Sequence, residues 1–479
     1  MAITSASGID AAPRKQTLAS NYVDFTSSAT EGWAQQYLPD LMEKEAEVYG
    51  KRTIAGFLAQ VGAEEPSAAD RVVWSEQGRL HLAYTAKYVS GNNKYEIEND
   101  IDGNDVGTTP GLRVGDMVIM SLANATAKGY VSSVDPDGDN GAEFEVLAYG
   151  AANMATALNS TATTSELIRV LVIGSEFEKG SGARTAANAP KFKSHSNKHI
   201  ILRDYYEVSG SDASAIGWVE ISGEEGQNGY LWYLKAEGDT RARFADYLEM
   251  TMLEAETAVD GAGAIGGTDQ STSDGTQGLF QAITTRGHQT TGITGVNAAT
   301  DLAEFDAILA VFDANGAIEE NMMFVDRTTS LAIDDMLASM NSYGAGGTSY
   351  GVFENDEDMA LNLGFSGFRR GSYDFYKSDF KYLNDKGTRG ALNDTVNNIR
   401  GVIIPAGVSS VYDEQLGRNM KRPFLHVRFR ASETESRKMK TWVTGSVGAA
   451  TSGIDSMQVH YLSERCLITQ GANNFMLMN

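Results

Sequence analysis

The longest uninterrupted periodic stretch of the chain is "LKAEGDTRARFADYLEMTMLEAETA", Leu234 to Ala258. Phe244, Leu248, Met252, Ala255 and Val259 recur every three or four residues. That spacing predicts one apolar stripe of a helix. Lys235 with Asp239, Glu237 with Arg241, and Asp239 with Arg243 are opposite charges four apart, which supports the outer face. A helical pattern interrupted at Pro39 is also expected over residues 28–62, closed by a turn at Glu64–Pro66.

Elsewhere the period shortens to two. Leu80, Leu82, Tyr84, Ala86 and Tyr88 alternate with His81, Thr85 and Lys87, which predicts a half-buried strand. Between residues 95 and 182 short apolar runs, "MVIM", "GYVSSV", "FEVLAYG" and "LIRVLVIG", are parted by Gly, Asp and Asn clusters. This texture predicts a small all-β module set between two strands of a larger unit. "HIILRDYYEVSG" (199–210) reads as the next strand and leads, through a glycine-rich loop, into the long helix.

After the helix the pattern alternates between helix and strand. "TDLAEFDAILAVFDANG" offers Leu302, Phe305, Leu309 and Phe312 as a buried stripe and Gly316 as a stop. Asp301 and Glu304 are spaced as a capping box. "MMFV" (322–325) reads as a short buried strand and "TSLAIDDMLASMNSYG" as a second helix. "SYDFYKSDFKYL", "GVIIPAG" and "FLHVRFRA" read as strands, and "MQVHYLSERCLITQGANNFMLMN" closes the chain.

Composition narrows the class. The chain has 479 residues and 42% hydrophobic content, which supports several packed cores and excludes wholesale disorder. The formal net charge is -24, so no general nucleic-acid-binding face is expected. The acidity serves solubility, or keeps a surface from sticking to nearby polyanions. Cys466 is the single cysteine, which excludes an internal disulfide and a cysteine-rich metal site. The first residues, "MAITSASGIDAAPRKQ", lack the apolar core of a signal peptide, and no window reaches the length of a membrane span. Folding in a cytoplasm, with no N-terminal segment removed ahead of Met1, is the expectation.

Three patterns suggest chemistry, and each has a plainer explanation. Gly261, Gly263 and Gly266 form GxGxxG, but they follow a helix and open a polar loop, so they predict a hinge and no dinucleotide site. Asp135, Asp137 and Asp139 stand at the first, third and fifth positions of a calcium loop. The sixth position is Asn140 where glycine makes the turn, and the twelfth is Val146 where glutamate supplies two ligands. A hairpin turn between "GYVSSV" and "FEVLAYG" accounts for them. "DIDGNDVG" (100–107) departs similarly. His195 and His199 are four apart but lack the following glutamate of a zinc helix, and with Lys191, Lys193 and Lys198 they read as an exposed basic patch. There is no GxSxG and no GxxxxGK[ST]. No catalytic, cofactor-binding or metal-ligating residue is predicted, no cofactor is expected, and the chain does not read as an enzyme.

The order of elements resembles the major capsid proteins of tailed bacteriophages (Caudoviricetes), which share the HK97-type fold. "RDYYEVSG", the long helix, and "VHYLSERCLITQGANNFMLMN" carry the resemblance, together with "NYVDFTSSATEGWAQQYLPDLMEKEAEVYGKR" as an arm. Both myovirus-like and crAss-like relatives fit. The resemblance implies an α+β fold with an N-terminal arm, an extended β-hairpin loop, a peripheral domain built on a spine helix, and an axial α/β domain. On this sequence it implies an arm and helix at 1–66, a loop stem at 67–94 with 183–200, and an inserted β-rich module at 95–182. It further implies a peripheral domain at 201–275, an axial domain with peripheral strands at 276–450, and a closing strand segment at 451–479. The inserted module departs from the family's minimal pattern.

The implied function is a structural protein of the virion that self-assembles into hexamers and pentamers of an icosahedral or prolate head around double-stranded DNA. Implied partners are further copies of itself, a portal, a separate scaffolding protein (no long scaffolding region precedes the arm) and decoration proteins. DNA would be met only by non-specific proximity, and no membrane is involved. Assembly would take place in the host bacterial cytoplasm. The alternative is an acidic, β-rich surface or adhesion protein that binds calcium in its Asp-rich turns.

Overall fold

The structure, a computed structural model, describes Leu58 and, with short breaks, residues 63–215, 231–258, 275–341 and 367–479. The chain divides into two compact units, 75–194 and the remainder. Residues 28–57, where a helical pattern is expected, and Gly261, Gly263 and Gly266 lie outside the described residues.

The 75–194 unit is built around a closed barrel. After β1 (Ala63–Ser67) and β2 (Arg71–Gln77), the barrel strands are β3 (Ala83–Ser90), β4 (Lys94–Asp100), β5 (Asp116–Leu122), β6 (Ala125–Gly138), β7 (Gly141–Ala148) and β8 (Leu167–Ser175). They close in the order β3-β4-β7-β6-β5-β8. The alternation seen in the sequence has its cause here. Tyr84, Ala86 and Tyr88 point inward, as do Tyr95, Val118, Met120, Phe144, Val146, Ile168 and Val170. A short helix, α1 (Met154–Ala157), is capped by Asn153, whose Oδ1 accepts from the Thr156 amide at 2.7 Å, and places Met154 in the same interior. Gly129 is needed at this point, since a Cβ there would collide with Met154 and Val146. The barrel starts at Ala83, ahead of the texture change at residue 95, so Ala83–Ser90 and Lys94 of the expected stem are barrel wall. Closure explains this: Lys87 pairs with Leu167 on one side and Glu96 on the other.

The larger unit holds two sheets. The first is five-stranded, from β1, β10 (Ile200–Ser209), β18 (Leu425–Arg430), β19 (Lys440–Gly445) and β20 (Ser456–Thr469). β20 pairs antiparallel with β10 along one side and with β18 and β19 in succession along the other. Where the sequence predicts a turn at Glu64–Pro66, the structure has β1, parallel to β18. It is the edge strand, so Pro66 costs the sheet no interior hydrogen bond, and Glu65 pairs with Arg428 at 2.8 Å. β2 forms a two-stranded sheet with β9 (Phe192–Lys198).

The second sheet is six-stranded, in the order β11-β21-β15-β12-β14-β13. Its strands are β11 (His288–Thr290), β12 (Glu320–Val325), β13 (Gly367–Arg370), β14 (Tyr373–Asp379), β15 (Gly401–Pro405) and β21 (Met476–Met478). A separate hairpin joins β16 (Val408–Asp413) to β17 (Arg418–Pro423). Apolar runs such as "MMFV" and "GVIIP" follow from burial on both faces of the sheet. Phe324, Val402, Ile404 and Leu477 face one core, while Met323, Val325, Ile403 and Met478 face another.

Helices cover this sheet: α4 (Leu279–Arg286) on the first core, α5 (Ala298–Asn315) and α6 (Arg327–Asn341) on the second. Phe305 and Phe312 are fully buried beneath α5, and Gly316 ends it in the left-handed region at φ 62°. The capping box expected at Asp301 and Glu304 is not the cap. The N-cap is Asn297, and the helix starts earlier, at Ala298. Asp301, itself buried, accepts from the Thr294 and Gly295 amides at 3.0 and 3.1 Å, while Glu304 accepts from the Ile293 amide at 2.5 Å. Both carboxylates hold the preceding loop. "SYDFYKSDFKYL" is a strand only to Asp379; Lys381–Asn384 is a short helix, α7, with Tyr382 and Leu383 buried.

Candidate functional site: a braced helix and the two faces of its sheet

After the short helix α2 (Gly210–Ala215), the long helix, α3, runs from Leu231 to Glu254. It begins three residues earlier and ends four residues earlier than the apolar stripe predicts. Ala255 still donates to the Thr251 carbonyl at 2.9 Å, but Thr257 is already bridged to Gly275. Val259 lies outside the described residues.

The stripe is real where it matters. Phe244 and Leu248 pack on Tyr206 and Val208 of β10 and on Val459 and Tyr461 of β20. Arg243 reaches Asp204 of β10 at 3.5 Å, and the Tyr461 hydroxyl lies 3.5 Å from Glu237. One turn on, Met252 and Leu253 enter the core shared with the six-stranded sheet. Glu254 there accepts from the Tyr382 hydroxyl at 2.8 Å and pairs with Arg389 at 2.6 Å. Burial beside Glu254 pushes the Tyr382 phenol well above its ordinary range. Glu249 accepts from the Leu58 amide at 3.1 Å. A single rigid element thus spans two cores, which is why the helix is long and why its stripe continues across its length. Packing of this kind supplies most of a helix's stability.

The closing segment joins the same two layers. β20 belongs to the five-stranded sheet; Gly471, at φ 61°, turns the chain, and β21 enters the six-stranded sheet. The amide of Asn479 donates to Thr290 and its carbonyl accepts from Arg400 Nε at 2.9 Å. Arg400 also donates to the carbonyls of Ile293 and Gly292.

The face of the five-stranded sheet away from the helix has a different character. Directly paired residues share a face, so rows cross the strands. Tyr205, His460 and Trp442 form one row, with ring centroids 5.9 and 5.1 Å apart and both pairs stacked. Arg203, Leu462 and Lys440 form the next. Burial, reinforced by the positive charge of Arg203, holds the His460 imidazole below its ordinary pKa. A cleft of about 410 Å³ opens over this row, lined by Arg203, Arg437, Lys440, Trp442 and Leu462. Nothing in the periodicity of the sequence marks it, because Arg203 lies more than 230 residues before Arg437 and Lys440.

Two of the three sequence patterns with chemical overtones fall on described residues. β6 and β7 form an antiparallel hairpin with Gly138 opposite Gly141, and Asp135 accepts from the Asp137 amide at 3.3 Å; Asp139 is outside the described residues. Asp100 and Asp105 accept from the amides of Asn104 and Gly107, both at 2.8 Å, so "DIDGNDVG" is a turn. His195 lies on β9 with its ring 6.1 Å from Trp74, while His199 Nδ1 lies 3.0 Å from the Asp70 carbonyl. Burial lowers the His199 pKa. Lys193 and Lys198 are on the same strand, and Lys191 is outside the described residues. Among the described residues no group of three or more His, Cys, Asp or Glu is placed to hold a metal ion, and no helix is long and apolar enough to cross a membrane.

No family model matches the chain, and no curated protein matches it. Solved structures align with it over much of its length at low identity. A structure from Mycobacterium phage Ogopogo is 12% identical, covering 91% of this chain and 96% of that one with a TM-score of 0.40. The capsid of a native GTA particle is 10% identical, covering 94% and 98%, with a TM-score of 0.37. A satellite phage P4 procapsid that includes its size determination (Sid) protein is 10% identical, covering 64% and 78%, with a TM-score of 0.30.

Proposed function

We propose that this chain is a major capsid protein of the HK97 type, a structural building block that self-assembles into the hexamers and pentamers of a phage head enclosing double-stranded DNA. The observation that carries this reading is the helix Leu231–Glu254, which is packed on one sheet through Phe244 and Leu248 and anchored in a second core through Met252 and Leu253. A spine between two layers suits a load-bearing wall element.

In this reading β10, β18, β19, β20 and the long helix are the peripheral domain. The six-stranded sheet with α4 to α6 is the axial domain, β2 with β9 is the stem of the extended loop, and the barrel is its inserted module. The acidity, net -24, limits adhesion of packaged DNA to the wall, an effect that salt screens. Portal, scaffolding and decoration proteins are the partners beyond the chain itself. The location is the virion, after assembly in the host cytoplasm, and the role is not enzymatic.

Electron microscopy of the purified chain, alone and co-expressed with its scaffold, tests the reading. Closed shells or capsomers of five and six copies are expected. A protein that stays monomeric under both conditions would overturn it.

A further inference from the structure

We propose that the cleft over Arg203, Leu462 and Lys440 docks an acidic segment of a second copy of this chain. The inference rests on the self-assembly reading above and adds to it the face and the chemistry of one contact.

All three charged residues lining the cleft, Arg203, Arg437 and Lys440, are cationic. Arg437 pairs with Glu464 at 2.7 Å and Lys440 with Glu435 at 2.5 Å. Arg203 is exposed and, among the described residues, has no carboxylate within ion-pair reach. Its guanidinium offers a planar donor fork that matches a carboxylate. Leu462 is 3% exposed yet belongs to the face opposite the helix, so side chains over this face form an apolar floor beneath the charges.

The aromatic wall argues against nucleic acid. Trp442 already stacks on His460, with rings 17° from parallel, and Lys440 Nζ lies 5.9 Å over its ring. Its π-surface is engaged, which disfavours stacking of a base. What Trp442 has left to offer is its electropositive edge, which suits a carboxylate. The chain carries 63 acidic residues against 39 Lys and Arg, so a neighbouring copy offers more carboxylates than cations to Arg203, while Arg437 and Lys440 are already paired. Charge complementarity of this kind steers association and fixes register.

The test uses assembled particles. Ile201 lies on the same face two residues from Arg203 and is 52% exposed. Cys466 is the only cysteine, is fully buried, and has a thiol pushed up to about 12, so an Ile201→Cys variant carries one reactive thiol. It is labelled with a maleimide photo-crosslinker in particles assembled from mixed unlabelled and ¹⁵N-labelled copies. The expected product is a crosslink between copies that maps to a peptide rich in Asp and Glu. Adding Arg203→Glu should cut its yield about tenfold, while Arg203→Lys retains most of it. Crosslinks to nucleic acid, to a non-acidic segment, or to nothing would overturn the proposal while leaving the capsid reading intact. Failure of the unmodified chain to form any multi-copy assembly would instead overturn the capsid reading, and this contact with it.

Discussion

Phe244 on the long helix and Tyr461 on β20 face each other with ring centroids 5.9 Å apart and planes inclined by 31°. Both are 1% exposed. This contact fixes the helix on the five-stranded sheet, two turns before Met252 and Leu253 enter the core of the six-stranded one.

Phe244→Ala should therefore cost about 3–5 kcal/mol, through lost burial and the cavity left behind. Leu248→Asp should be worse, because it buries an unpaired charge beside Val459 and Tyr206. Urea unfolding followed by circular dichroism measures both. A soluble Leu248→Asp protein with unchanged unfolding would mean that this face of the helix is not buried.

Lys377 and Asp334 form a close ion pair with side chains only 6% and 10% exposed, and Lys377 also donates to the Ser330 carbonyl at 3.1 Å. Removing the cation strands a buried carboxylate. Lys377→Met is expected to lower stability by about 3–5 kcal/mol. The double variant Lys377→Met/Asp334→Leu should recover much of the loss in the same unfolding assay, and no recovery would argue that the pair is not acting as a unit.

The Cys466 thiol is raised to about 12 by burial, against an ordinary value near 9. Its folded-state pKa exceeds the unfolded one, so its contribution to stability is fully present below pH 9 and is lost as the pH climbs from about 9 to 12. At pH 8 the native protein should react with a thiol-specific chromogenic disulfide only after denaturant is added. Rapid reaction without denaturant would show that Cys466 is accessible.

Calorimetric titration of calcium should give no tight binding at the β6–β7 hairpin, since Asp135 is spent on the Asp137 amide and β7 follows directly. Micromolar binding abolished by Asp137→Ala would revive the calcium-dependent adhesion alternative.

The barrel sets where the chain tolerates excision. Replacing 95–182 by a Gly/Ser linker removes β5 to β8 and most of β4 but leaves β3, exposing Tyr84, Ala86 and Tyr88. Replacing 78–188 removes the closed unit whole. The second variant is expected to stay soluble and keep the long helix, and the first to aggregate. Limited proteolysis and light scattering distinguish them; equal behaviour would place the boundary elsewhere.

Much of this was legible from the chain. Period two marked the barrel strands because each has one face in the barrel interior, as Tyr84, Ala86 and Tyr88 show. The stripe of Phe244, Leu248 and Met252 marked the helix face for the same reason at period 3.6. Gly316 ended its helix as expected, because a left-handed residue follows the last turn. What the chain alone did not settle was which partner a polar residue serves. Asp301 and Glu304 have the spacing of a cap, but loop amides at 293–295 come within reach only after folding. Glu64–Pro66 has turn composition, yet parallel pairing with β18, more than 350 residues away, makes it an edge strand. The cleft is the strongest case. Arg203 comes beside Arg437 and Lys440 only because β20 holds β10 on one side and β19 on the other. Local periodicity reports burial, which each residue experiences singly, whereas a charged surface is defined by long-range strand pairing, and that is set by tertiary structure alone.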